Sequence, residues 1–296
     1  MTLYSRVSLR TAQKIGSLLG LSAWYLRTDE RRITQINLAH CLPEMNPAER
    51  TRLAKRSLQE DGKLLAELPL VWLQPVSRLS GRVHAEEALE EIRQIKQTGN
   101  GLILIVPHMG NWEIALGQAM KVINMTVLYR PPRQHWLEEI MTLGRQETGA
   151  KTAPTNSTGI KQLLASLKNG EGVAILPDQA PKKMSGSAAV FAPFFGQPAY
   201  TMTLAARLAA KTGAAVRAVH VERLPDGKGF QVDLDRVDDA IYDKSADQSV
   251  RAINAAVELC VRKCPEQYQW SYKRFQVQPD GKRSIYSRRH KSGSAK

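Results

Sequence analysis

Apolar residues are spaced in two different ways along this chain, and the change comes near residue 101. From there on, short continuous apolar runs recur. The first is Gly101-Leu102-Ile103-Leu104-Ile105-Val106, and others lie at 125–129, 172–176 and 214–221, with a late or edge strand at 230–234. Runs of this kind read as strands buried on both faces, the habit of parallel sheets. Between them, apolar positions fall at helical spacing over 113–123, 136–148, 159–168 and 201–212. Strands alternating with helices predict an α/β fold: a mostly parallel central sheet flanked by helices.

Upstream of residue 101 the pattern is helical. Residues 28–75 read as helix, with Pro47 at a first helical position after the cap-like Asn46. That helix is expected to run to about Leu65, with Pro69 and Pro75 punctuating the stretch beyond it. Residues 84–98 form a charged amphipathic pattern ending near Gly99. At the N-terminus, Ile15 to Leu26 is a run of 12 uncharged residues ending in Trp24-Tyr25 and flanked by basic residues. As a helix it would reach roughly 18 Å, against about 30 Å of bilayer hydrocarbon. Two readings stand: a helix lying in a membrane interface with its rings at headgroup level, or one packed on the core. No cleavage site of signal-peptide type is visible, and no later stretch is long enough to span. The pattern divides the chain into a membrane-association segment (1–27), an α/β domain (28–276) and a basic tail (277–296) expected to be disordered.

Charge adds a direction. The chain has 296 residues and a formal charge of +14. Residues 1–32 hold six basic against two acidic residues, and residues 273–296 hold eight against one, so the ends carry +11 of the total. A fold does not require this, and the field would draw an anionic surface. Near an anionic membrane each basic residue contributes about 1 kcal/mol. The near-neutral middle and the lack of a recognisable binding module argue against a nucleic-acid partner. Cys41, Cys260 and Cys264 suggest no disulfide framework. Cys260 and Cys264, one helical turn apart, read as helix packing or surface, because a zinc site needs about four ligands.

The candidate chemistry sits at strand ends, where open α/β sheets gather their ligands. The first buried strand leads into Pro107-His108-Met109-Gly110-Asn111-Trp112-Glu113. A turn at Gly110-Asn111 could fold Glu113 back toward the His108 imidazole. A carboxylate on one ring nitrogen leaves the other to take a proton from a hydroxyl. A structural histidine at a strand end is the competing reading. The second strand gives Tyr129-Arg130-Pro131-Pro132-Arg133, and the third gives Pro177-Asp178-Gln179. Arginine suits phosphate or carboxylate, so these ends could converge on a substrate bearing phosphate and hydroxyl groups. The competing reading of Arg130 and Arg133 is a solvated basic loop. There is no nucleophile elbow, dinucleotide fingerprint, P-loop or zinc-protease motif. Direct attack by a substrate hydroxyl is the simpler mechanism.

His108 to Glu113 resembles the H-x4-D/E motif of the lysophospholipid acyltransferase superfamily. More specifically, the chain resembles the bacterial lipid A biosynthesis acyltransferases, the late lauroyl or myristoyl transferases. The resemblance includes Asn37-Leu38…Leu42-Pro43-Glu44, Tyr129-Arg130-Pro131, Arg145 before Gly149, and Leu176-Pro177-Asp178-Gln179. It continues through Phe194-Phe195-Gly196-Gln197-Pro198-Ala199, 208–214, Pro265-Glu266-Gln267-Tyr268-Gln269-Trp270 and Arg274-Phe275. It implies a glycerolipid acyltransferase-like fold and transfer of a fatty acyl chain from acyl carrier protein to a hydroxyl of a lipid A precursor. The expected place is the cytoplasmic face of the cell inner membrane. By the same resemblance His108 is the general base and Glu113 its partner, Arg130 and Arg145 bind anionic groups, and Asp178 lies in the pocket. Asn111, Arg133 and Gln179 complete the candidate substrate-binding set. No metal or organic cofactor is implied. Members usually carry a longer apolar anchor, so attachment is expected to be peripheral or monotopic. Another glycolipid or aminolipid acceptor, served from acyl-CoA, is the alternative.

Overall fold

The structure is a computed structural model, described over residues 7–73, 81–129, 151–181 and 188–287. Three helices come first: α1 (Leu9–Tyr25), α2 (Asp29–Cys41) and α3 (Pro47–Leu73). The αβ part continues as β1 (Val83–His84), α4 (Glu86–Gln97), β2 (Leu102–Ile105), α5 (Trp112–Ala119) and β3 (Met125–Tyr129). Then come β4 (Lys151–Pro154), α6 (Ser157–Lys168), β5 (Gly172–Ile175), β6 (Ala189–Phe194) and β7 (Gln197–Met202). The last elements are α7 (Leu204–Thr212), β8 (Ala215–Leu224), β9 (Gly229–Arg236) and α8 (Ala246–Lys263).

Among the described residues, seven strands form one sheet in the order β1-β9-β8-β2-β5-β3-β4, parallel throughout except for β8 against β9. The expected α/β fold is therefore the observed one. β2 and β5, in mid-sheet, are buried at every position. Alternation along them feeds two cores. Ile103, Ile105, Val173 and Ile175 pack toward α6, α7 and α8, while Leu102, Leu104 and Ala174 pack toward α4 and α5. Each such Ile, Leu or Val side chain contributes roughly 1.5–3 kcal/mol by leaving water. Register then decides the site. Ile105 lies level with Ile175, so three residues further on the two chains emerge side by side at His108 and Asp178.

Three expectations change. α3 does not stop near Leu65 but continues through Pro69 to Leu73. A proline frees the carbonyl four residues earlier. That residue is Leu65, which is exposed, while Leu64, Ala66, Leu70 and Trp72 are buried and hold the last turns in place. The 230–234 strand is the last of the described strands, as one reading had it, but not an edge, because β1 pairs with its outer side. The 201–212 pattern is split: β7 ends at Met202 and α7 begins at Leu204. β6 and β7 form a hairpin whose two turn residues, Phe195 and Gly196, both have positive φ, as a tight primed turn requires. The 136–148 helical pattern lies outside the described residues.

The tail also differs. As far as Ser287 it folds back: Tyr286 is buried, its hydroxyl accepts the Phe275 N–H at 3.0 Å, and it also bonds Asn37. Asn37 donates to the carbonyls of Trp270 and Tyr272, both at 2.7 Å. These buried polar groups satisfy each other, and that gives the segment a fixed path. The three cysteines are buried thiols.

α1 is not a separate arm. Its Gly16 and Gly20 face Gly62 of α3 at backbone contact. A Cβ at Gly16 would lie 2.4 Å from the Gly62 carbonyl oxygen, and one at Gly62 would lie 2.1 Å from that of Gly16. The opposite face of α1 exposes Ile15, Leu18 and Leu19, with Tyr25 and Leu26 exposed at its end. The reading as a helix packed on the protein thus holds for the inner face, while the outer face is exposed. Among the described residues, no helix is long and apolar enough to cross a membrane.

Candidate active site

The two parallel strand ends share a pattern: Ile105-Val106-Pro107-His108 on β2 and Ile175-Leu176-Pro177-Asp178 on β5. Proline ends each strand, since it has no N–H to give the ladder. The next residue is His108 or Asp178. The two meet twice: the imidazole Nδ1 is 2.8 Å from Asp178 Oδ1, and the His108 backbone N–H donates to Oδ2 at 2.9 Å. The carboxylate therefore fixes both the backbone and the ring of one residue.

The two groups differ in access. The Asp178 side chain is 2% exposed and that of His108 is 15%. Burial alone would raise the Asp178 carboxyl. The charge of His108, its two hydrogen bonds and the more distant Arg274 outweigh this and hold it below the usual carboxylate range. Tyr268, buried and facing the same carboxylate, has its phenol pushed well up by burial and by that negative charge. Arg274 is itself buried, donating to the Tyr200 carbonyl at 2.7 Å. With a carboxylate on Nδ1, the proton sits there and Nε2 is the acceptor nitrogen of the ring. Trp112 packs edge-on against the imidazole, with centroids 4.9 Å apart, which limits the ring's rotation.

The loop after His108 is clamped from the C-terminal side. Met109 forms an isolated antiparallel bridge with Tyr268. Gln269 N–H donates to the His108 carbonyl and Gly110 N–H to the Gln267 carbonyl, both at 3.0 Å. Gly110 has φ +55°, and a Cβ there would lie 2.1 Å from the Val221 carbonyl oxygen. Only glycine meets both conditions without strain. α5 then opens at Trp112, with Glu113 in its first turn, where a carboxylate suits the helix dipole.

A family model described as bacterial lipid A biosynthesis acyltransferase matches residues 2–277. The chain belongs to that family. Curated relatives agree over nearly full length. It is 28% identical to a lipid A biosynthesis lauroyltransferase of Escherichia coli (strain K12), over 92% of this chain and 88% of the relative. It is 26% identical to a lipid A biosynthesis palmitoleoyltransferase of the same organism, over 92% and 87%. A lipid A biosynthesis acyltransferase of Haemophilus influenzae is 26% identical, over 95% and 86%. The protein is thus an acyltransferase of the lipid A biosynthesis type.

The expected site residues fall in different places. His108 and Asp178 are joined directly. Glu113 is half-buried at the start of α5. Asn111 is fully buried, and its Nδ2 donates to Glu67 at 3.1 Å, so its side chain points into the protein below the loop. Gln179 is half-buried and donates to Gln269 at 3.2 Å. Arg130, Arg133 and Arg145 lie outside the described residues. Two groups were not singled out from the sequence for any role. One is the clamp at Gln267, Tyr268 and Gln269, quoted only as part of the family resemblance. The other is Glu67 with Arg223, which contact the loop from below. Arg223 carried a readable signal: it keeps step with Val219 and Val221 along β8, where a charged residue points inward. Among the described residues, no group of three or more His, Cys, Asp or Glu side chains could hold a metal ion.

Proposed function

We propose that this acyltransferase moves a fatty acyl chain from acyl carrier protein to a hydroxyl of a lipid A precursor. The observation that carries the reading is the twofold tie between His108 and Asp178, in a chain aligned over 92% of its length with a lauroyltransferase of lipid A biosynthesis. His108 is the general base. Asp178 holds Nδ1–H, orients the ring and stabilises the imidazolium as it forms. The acceptor hydroxyl gives its proton to Nε2 while its oxygen attacks the thioester carbonyl. The C–S bond then breaks, and the departing thiolate takes the proton back from His108. Glu113 assists as a second carboxylate, stabilising the imidazolium through its field. Arg130, Arg133 and Arg145 bind phosphate or carboxylate groups of the substrates, and Gln179 lines the acceptor side. Asn111 acts from beneath, through the loop.

The site works at the cytoplasmic face of the inner membrane, with the protein held peripherally or monotopically. The support is chemical. α1 offers an outer row of Ile15, Leu18, Leu19, Tyr25 and Leu26, and the chain ends are basic, which suits an anionic lipid surface.

The test is direct. Purified protein is incubated with lauroyl-acyl carrier protein, or lauroyl-CoA, and a lipid A precursor in mixed micelles, and products are weighed by mass spectrometry. A mass gain of one acyl chain from the carrier-protein donor is expected. Transfer from the CoA thioester alone would overturn the donor. An unchanged lipid A acyl count in cells lacking the protein would overturn the acceptor.

A further inference from the structure

Beneath the His108 loop lies a set of charges that the acyl-transfer step does not use. Glu67 of α3 is fully buried, and Arg223 of β8 nearly so. The guanidinium meets the Glu67 carboxylate through two parallel bonds, Nε to Oε1 at 2.6 Å and Nη2 to Oε2 at 2.7 Å. Its Nη1 donates to Glu60 at 2.6 Å, and Nη2 also reaches the Gly110 carbonyl at 3.3 Å. Burial works against the arginine's charge, but Glu67 and Glu60 more than restore it. Glu67 in turn accepts from Asn111 at 3.1 Å and from Gln13 of α1 at 2.8 Å.

Such a pair is a poor way to stabilise a core. Two ions must leave water, and apolar residues of the same volume often serve the fold as well or better. What the pair does contribute is geometry. It touches Gly110 and Asn111, the residues between His108-Met109 and the start of α5. Gly110 is held on both sides, its N–H by the Gln267 carbonyl and its C=O by Arg223. The Gln267 side chain holds the Arg223 backbone in both directions, accepting its N–H at 2.7 Å and donating to its carbonyl at 2.9 Å. An arginine fork can hold a carboxylate and a peptide oxygen in one plane, where a lysine cannot.

We propose that Arg223 and Glu67 are positioning residues for acyl transfer. The fork fixes the Gly110–Asn111 peptide, and that peptide sets where the His108 ring and the first turn of α5 stand relative to each other. The proposal rests on His108 being the base in acyl transfer. If wild-type protein transfers no acyl chain, that reading fails; the positioning role is judged only on variants of an active enzyme.

Two variants test it, with kcat, KM and Tm measured on the full chain using lauroyl-acyl carrier protein and lipid A precursor. Arg223→Lys keeps a charge but loses the fork. Its kcat is expected to fall about 10- to 100-fold with KM within about threefold, since a misplacement near 1 Å can cost about a hundredfold. The double variant Glu67→Met with Arg223→Met removes both charges together. It is expected to keep Tm near wild type while kcat falls at least as far. Either variant, once folded, with wild-type kcat overturns the proposal. So does a double variant that recovers kcat along with Tm, which would assign the pair to stability alone. If neither variant folds, the pair is a requirement of folding and the proposal falls.

Discussion

Two charged pairs flank the same loop, and they are built in opposite ways. His108 and Asp178 come from the ends of neighbouring strands, face each other through strand register, and leave the imidazole part-exposed. Arg223 and Glu67 come from a strand and a helix 156 positions apart in the chain, and both are sealed from solvent. The first pair is proposed to pass the acceptor's proton through the imidazole. In the second the guanidinium stays charged throughout. In the proposed reaction, a site that changes its charge on every turnover thus rests on one that keeps it.

The largest break in this contrast is expected from His108→Ala. It removes the only group proposed to carry the proton, so kcat should fall about a thousandfold. Tm should move by only a degree or two, as thermal unfolding would show. A loss of activity matched by a large loss of Tm would mean the histidine belongs with the structural pair instead.

Asp178→Asn is next, at roughly a hundredfold or more in kcat, because an amide can present the wrong group to Nδ1. Its stability effect has a definite sign. The folded carboxyl titrates below its ordinary value of about 3.9. Its contribution is therefore present above that value and lost as pH falls through the folded one. The variant should be less stable than wild type at pH 7 and closest to it in strong acid. Comparison with Glu113→Gln sharpens the roles: a loss of about tenfold is expected there, and a larger loss than for Asp178→Asn would reverse the two carboxylates.

Gly110→Ala attacks the loop between the pairs. Positive φ and a 2.1 Å approach to the Val221 carbonyl oxygen leave no place for a methyl. A Tm loss of about 5–10 °C is expected, on the order of 2–4 kcal/mol. An alanine variant with unchanged Tm would show the loop to be looser than its contacts imply.

The smallest effect concerns a third carboxylate on the same face of α3. Ser57, Asp61, Leu64 and Glu67 recur at helical spacing. Glu67 meets an arginine, whereas among the described residues Asp61 accepts the Ser271 hydroxyl, at 2.6 Å. Burial pushes the Asp61 carboxyl up to about 7. The folded value is raised, so stability is fully present below the ordinary value of about 3.9 and falls as pH rises to about 7. Asp61→Asn should raise Tm by a few degrees at pH 8 and leave it unchanged at pH 3.

Most of the fold was legible because its strands are buried on both faces, and continuous apolar runs such as Leu102–Ile105 admit few other readings. β1 has only two residues, too few to show a period, and β4 and the β6–β7 hairpin mix exposed or half-buried positions with buried ones, so no continuous apolar run marks them. Pro69 misled because tertiary burial on both sides of it outweighs one lost hydrogen bond. In the site, His108 stood out by its position, and Asp178 was recognised as a pocket residue. That Asp178 stands on Nδ1 was written in the matching Ile-Val-Pro-His and Ile-Leu-Pro-Asp endings, but only register turns that likeness into contact. Glu67 was illegible in principle: a glutamate on a helix normally faces water, and the arginine that draws it inward lies far along the chain.

The glycine contact between α1 and α3 has one more consequence. Helices that touch along their backbones leave no slack for a hinge, so the outer leucines of α1 behave as a keel and not as a mooring line. Any surface on which they settle is met by α1 and α3 together, and the His108 loop, tied to α3 through Asn111 and Glu67, is carried with them. Changes to that face would then alter how often the loop arrives, and leave its bearing the same.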